Sequence, residues 1–92
     1  MVKKTYFNNL RKNQSYTDNI NVTDLSIKKF ASASGDKNPI HLNETFAKNT
    51  IFKSRIAHGM LIASFISSVI GNKFPGNGTI YVSQDLKFKR PV

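Results

Sequence analysis

The sequence predicts an α+β domain built around one buried helix, and three features of its 92 residues carry that reading. Met60-Leu61-Ile62-Ala63, followed by Phe65, Ile66, Val69 and Ile70, is apolar almost all round, and a helix apolar on every face is covered on every face. Residues 14–22 and the stretch from Thr79 to Phe88 alternate apolar and polar side chains, the period of a half-buried strand. Between them lies a rigid segment, Gly35-Asp36-Lys37-Asn38-Pro39-Ile40-His41, with a carboxylate and an imidazole five positions apart.

Length and composition bound the rest. A chain this short forms one domain and buries only about 60–65% of its unfolded surface, so its core is thin. There is no cysteine, which excludes a disulfide framework and thiolate metal sites. The N-terminus carries Lys3 and Lys4 with no apolar run behind them, unlike a secretory signal. The run from Met60 to Ile70 contains Ser64, Ser67 and Ser68 and is far shorter than the roughly 20 residues a membrane span needs. A soluble cytoplasmic protein is the expectation. Fourteen basic residues against five acidic ones give a net charge of +9, which favours polyanionic partners. The basic residues are scattered and not interleaved with aromatics, which argues against a dedicated nucleic-acid surface and fits solvated faces equally well.

Taken in order, residues 1–14 read as a polar arm in which Tyr6, Phe7 and Leu10 supply the apolar contacts. Tyr16, Asp18, Ile20 and Val22 mark a first strand. Thr23 is placed to cap a short amphipathic helix that carries Asp24 in its first turn, has Leu25, Ile27 or Lys28, Phe30 and Ala31 on its inner face, and ends before Gly35. Glycine allows the chain to turn there, while Pro39 fixes its own φ and holds Asn38 out of the α region, so Asp36 and His41 can be aimed at one point. A second short helix is expected over Leu42 to Lys48, held down by Leu42, Phe46 and Ala47. Gly71 and Asn72 suit the end of the central helix and Pro75 stops it. One long or bulged strand follows, carried by Ile80, Val82, Leu86 and Phe88.

Several motifs fall in one order: Ser34-Gly35-Asp36-x-Asn38-Pro39-Ile40-His41-Leu42 with Phe46-Ala47, and Arg55-Ile56-Ala57-His58-Gly59-Met60-Leu61. Phe74-Pro75-Gly76-x-Gly78-Thr79-Ile80-Tyr81 and Gln84-x-Leu86-x-Phe88-x-x-Pro91-Val92 follow. Over about residues 20–92 this pattern resembles the MaoC-like, R-specific enoyl-CoA hydratases. The resemblance implies the hot-dog fold, in which a curved antiparallel sheet wraps the central helix. Domains of that family continue well beyond Pro91-Val92, so the expectation is a single, partial domain over residues 1–92 with its last strands missing.

The same resemblance implies hydration of trans-2-enoyl-CoA to the (R)-3-hydroxyacyl-CoA, or the reverse dehydration. Asp36 and His41 would then activate and share the water, with Asn38 orienting it. The Gly59 N–H, at a helix N-terminus, would hold the thioester oxygen, and Ser67 and Ile70 would line the acyl pocket. It implies an acyl-CoA or acyl carrier protein thioester as partner, no redox cofactor, and a homodimer or a second chain that supplies the missing strands. The basic charge then suits the phosphates of coenzyme A. His58 is expected to bond backbone at the helix start. A metal held by Asp36, His41 and His58 is set aside, because His58 is remote in sequence and the family pattern calls for no metal. A non-catalytic acyl-thioester-binding or interaction module is the alternative, with a basic nucleic-acid binder behind it.

Overall fold

The computed structural model describes residues 9–92, and the first eight residues of the expected arm, with Tyr6 and Phe7, lie outside them. Four helices occur among the described residues: α1 (Asp24–Ser34), α2 (Pro39–Leu42), α3 (Glu44–Lys48) and α4 (Gly59–Asn72).

Helix α1 starts and stops where its sequence says. The Thr23 hydroxyl accepts from the Ser26 N–H at 3.1 Å while the Ser26 hydroxyl accepts from the Thr23 N–H at 3.0 Å, a reciprocal capping box. At the other end Gly35 takes φ +80°, and its N–H donates to the Ala31 carbonyl at 2.9 Å. That left-handed cap closes the helix and turns the chain directly into Asp36. Ile27 and Ala31, one turn apart, are the buried face, whereas Leu25 is exposed.

The helix expected over residues 42–48 is two helices, and asparagine is the reason. The Asn38 side chain accepts from the Ile40 N–H at 3.1 Å and caps α2, with Pro39 in its first turn. The Asn43 N–H closes α2 on the Pro39 carbonyl at 2.8 Å, and its side chain opens α3 by accepting from the Phe46 N–H at 3.0 Å. Asparagine competes with the helical backbone for hydrogen bonds, so it breaks a run that hydrophobic spacing alone would continue. Of the three residues expected to hold this segment down, Ala47 is fully buried, Leu42 partly, and Phe46 exposed.

Two expectations fail. Helix α4 is not buried on every face: Leu61 and Ala63 are buried, but Met60 is 56% exposed and Ile66 44%. The strands expected over 14–22 and 79–88 form no ladder among the described residues; both stretches lack regular secondary structure, and bridge pairing is confined to residues 76 and 77. The two failures have one cause. Alternation decides which face a strand turns inward, but a sheet also needs a neighbouring strand for every second N–H and C=O. Without that sheet, Ile80 and Val82 stand 81% and 88% exposed and α4 lacks its cover.

The chain divides into two compact units. One comprises Asn21–Ile62 and Lys87–Val92, and so holds α1, α2, α3 and the first turn of α4. Arg55 ties its helices together: Nη2 lies 2.8 Å from Asp24 Oδ1, Nε 3.6 Å from Glu44, and Nη1 donates to the His41 carbonyl at 3.3 Å. The other comprises Ala63–Leu86 and the N-terminal segment through Ile20. There the Tyr16 ring stacks on Phe74 with centroids 5.5 Å apart, and Asp18 pairs with Lys73. Among the described residues no helix is long and apolar enough to cross a membrane.

Candidate active site

A cavity of about 480 Å³ opens within the first unit, and Asp36, His41, His58 and Gly59 all line it. Its other walls include Phe88 and the basic side chains Lys87, Lys89 and Arg90.

Backbone geometry places each polar group. Asp36 follows the left-handed Gly35, its N–H donates to the Ser34 hydroxyl at 3.1 Å, and its carboxylate receives the Asn38 N–H at 3.4 Å. His41 sits in the single turn of α2, where Nδ1 lies 2.8 Å from the Ile56 carbonyl. A carbonyl can only accept, so Nδ1 carries the proton and Nε2 is left to take up or release one. The same two segments are joined a second time by the Ile56 N–H on the Ile40 carbonyl at 3.3 Å, which fixes the backbone that holds His41.

His58 joins these two although 22 positions separate it from Asp36. It is 2% exposed, and its Nε2 lies 2.8 Å from the backbone carbonyl of Asp36, so by the same reasoning Nε2 carries its proton. Its ring stacks on His41 with centroids 3.7 Å apart and planes 25° from parallel, and Phe30 meets it edge-on at 4.9 Å. The remaining nitrogen, Nδ1, is buried with no hydrogen-bond partner. Backbone bonding at the helix start was expected of His58; the identity of the carbonyl, and the stacking, were not. The signal available in the sequence was its position immediately before Gly59.

One nitrogen of each imidazole and a carboxylate oxygen of Asp36 lie within 4.8 Å of one another. Remoteness in sequence is therefore no argument against a three-ligand cluster. The stacking is one: near-parallel rings hold their in-plane lone pairs side by side, whereas an ion needs them to converge at about 2.0–2.1 Å. The arrangement suits proton transfer better than metal binding.

Gly59 opens α4 and lines the cavity, so the positive end of the helix dipole, where the first N–H groups have no partner within the helix, lies at the cavity wall. The space a Cβ would fill is occupied: a methyl built on Gly59 would meet the Phe88 ring at 2.8–2.9 Å. Glycine is required there by Phe88 rather than by an approaching ligand. Asn38 is exposed and does not line the cavity; its side-chain oxygen is used to cap α2. Ser67 and Ile70 are on the part of α4 that belongs to the other unit, the one exposed and the other half-buried, and neither lines the cavity.

A carboxylate and an imidazole near one point, with a helix N-terminus in the same wall, are groups that acid–base chemistry on a substrate developing negative charge on oxygen can use. The chain belongs to the MaoC-like domain family, whose family description matches residues 7–92. It is 51% identical over 87 residues to an (R)-specific enoyl-CoA hydratase of Rhodospirillum rubrum, which covers 95% of this chain and 60% of that protein. It is 48% identical over 71 residues to a 3-hydroxybutyryl-CoA dehydratase of Methylorubrum extorquens, covering 77% of this chain and 45% of the relative. An unliganded R-hydratase from Pseudomonas aeruginosa superposes with a TM-score of 0.73 at 49% identity, over 77% of this chain and 46% of that one. The chain spans about half the length of the relatives it matches.

Proposed function

We propose that the protein hydrates trans-2-enoyl-CoA to (R)-3-hydroxyacyl-CoA, and catalyses the reverse dehydration, with water activated by Asp36 and His41. The observation that carries this reading is that a carboxylate oxygen of Asp36 and a nitrogen of His41 lie within 4.8 Å of each other at the cavity wall. At that separation a water oxygen placed between them would be within hydrogen-bond reach of both.

In hydration the water oxygen bonds to C3 of the enoyl group while its proton passes to the Asp36–His41 pair. The π electrons move toward the carbonyl, and a proton returned from the pair to C2 completes the addition. The charge that builds on the thioester oxygen is met by the Gly59 N–H and the α4 dipole. Phe52, Met60 and Ile62 offer the acyl chain an apolar wall, a role the family resemblance implied for Ser67 and Ile70. Lys87, Lys89 and Arg90 suit a phosphate-bearing carrier, coenzyme A or acyl carrier protein. The reaction involves no change of oxidation state overall, so no redox cofactor enters the scheme.

The names of the relatives support this chemistry. We place the protein in the cytoplasm as a homodimer. The experiment is hydration of crotonyl-CoA, followed as loss of the conjugated-enoyl absorbance, in the parent, Asp36→Asn and His41→Ala. Turnover that collapses in both variants is expected. Saturable acyl-CoA binding without turnover in a folded parent overturns the enzymatic reading in favour of a thioester-binding module.

A further inference from the structure

We infer that His58 is the positioning residue of the acid–base pair, fixing the backbone of Asp36 and the ring plane of His41 at the same time. The inference rests on the proposed roles of those two groups.

Each of them is under-determined without it. Asp36 is exposed and lies in the loop between α1 and α2, just after the one residue there with freedom to take either sign of φ. Its carbonyl is held by His58 Nε2 at 2.8 Å, which fixes the peptide plane from which the carboxylate projects. His41 is held at Nδ1 by the Ile56 carbonyl, but a single hydrogen bond leaves the ring free to rock about that contact. The His58 ring, 3.7 Å away and 25° from parallel, removes the rocking, and Phe30 wedges His58 from its edge. Since His58 directly precedes Gly59, the same anchor also ties the start of α4 to both groups.

The chemistry of the residue distinguishes this from ordinary core packing. A buried imidazole whose Nδ1 has no partner carries a desolvation cost that a phenyl ring of similar shape would not. What a phenyl ring lacks is the N–H to Asp36. Conversely, an amide side chain could supply an N–H but no face for His41. Histidine satisfies both requirements at one position.

Two variants separate the functions. His58→Phe keeps a ring against His41 and loses the donor, whereas His58→Asn keeps a donor and loses the ring. In folded preparations each is expected to lower kcat for crotonyl-CoA by about tenfold to a hundredfold, with KM within about twofold, because sub-ångström misplacement of reacting groups costs rate rather than affinity. The pH dependence of kcat is expected to move in His58→Asn, since the ring facing His41 has gone. Asp36, Arg55, Lys87, Lys89 and Arg90 are the other charged groups around it. Mere loss of folded enzyme would scale that profile without moving it. A kcat within about twofold of the parent in both variants, with the profile unmoved, overturns the inference. If neither variant folds, 15N spectra of the unsubstituted protein decide: a proton on Nε2 of His58, slow to exchange, supports it, and a proton on Nδ1 overturns it. Turnover that survives Asp36→Asn and His41→Ala defeats the proposed chemistry instead, and leaves the spectroscopic result on His58 standing.

Discussion

Gly59 and Phe88 meet so closely that a Cβ on the glycine would lie 2.8 Å from Cζ of the ring. In an open helix, alanine would be worth about 1 kcal/mol more than glycine. Here three ring atoms lie inside 3.0 Å of the added methyl, so either the ring or the helix start has to shift. Gly59→Ala is expected to lower the melting temperature and hydratase activity together. In a Phe88→Ala background the same change is expected to be neutral or stabilising, and thermal melts of the four proteins of that cycle provide the check.

Gly35 makes a second steric demand, from conformation instead of space. Its φ of +80° is the left-handed region, while nothing lies within 4 Å of the position its Cβ would take. Alanine there costs about 1–2 kcal/mol through backbone strain. The strain falls next to Asp36, so Gly35→Ala is expected to reduce kcat more than its loss of folded protein explains, and Gly35→Asn to retain more of both. Chemical denaturation run beside the crotonyl-CoA assay separates the two effects.

The capping box of α1 predicts a purely structural cost. Thr23→Ala removes the acceptor for the Ser26 N–H, worth about 1 kcal/mol. The expected result is a lower denaturation midpoint with kcat per folded molecule unchanged, because α1 contributes no side chain to the acid–base pair.

Acid should weaken the fold through two exposed carboxylates. Hydrogen bonds from Lys28, then Arg55, hold the Asp24 carboxyl below its usual range, and Lys73, then the Asn19 N–H, do the same for Asp18. The folded state therefore binds fewer protons than the unfolded chain near pH 4, and stability rises with pH across that region. The contribution is complete above the ordinary aspartate value of about 3.9 and disappears as pH falls through the lower folded value. Lys73 gives the opposite limb: Asp18 raises it, so its contribution is present below the ordinary lysine value and lost as pH climbs through the raised one. Melting temperatures between pH 2 and 6 should fall less steeply in Asp24→Asn and Asp18→Asn than in the parent, and added salt should shrink the difference.

The basic wall of the cavity yields a kinetic prediction. Lys89→Glu reverses one of three neighbouring positive charges on the lining and is expected to raise KM for crotonyl-CoA several-fold at low ionic strength while kcat stays near the parent value. Raising the salt concentration should bring the two proteins together. A change confined to kcat would show that Lys89 acts on the reacting groups and not on the carrier.

Local chemistry was legible wherever a residue acts on its own neighbours. Thr23, Gly35, Asn38 and Pro39 shape the backbone within a few positions of themselves, so the cap, the turn and the entry to α2 follow from residue type. That Asp36 and His41 can be aimed at one point was legible for the same reason, since five positions and a proline bound how far apart two side chains can be; the role expected of them came from the resemblance of the surrounding motifs. Asn43 was legible in principle, as a capping residue between two short apolar groups, but spacing alone favoured one continuous helix.

Tertiary structure decided everything that depends on a partner distant in the chain. Alternating side chains at 14–22 and 79–88 state which face would turn inward and nothing about which strand pairs with which, and α4 is apolar enough to need a cover it cannot itself provide. The sequence by itself determined the boundaries of α1, the end of α4 and the spacing that lets Asp36 and His41 be aimed at one point. Only folding could bring His58 onto the Asp36 carbonyl and the His41 ring, Arg55 onto Asp24, and Phe88 over Gly59, because stacking, hydrogen bonding and exclusion act over a few ångströms, and no pattern in one dimension records which residues come that close.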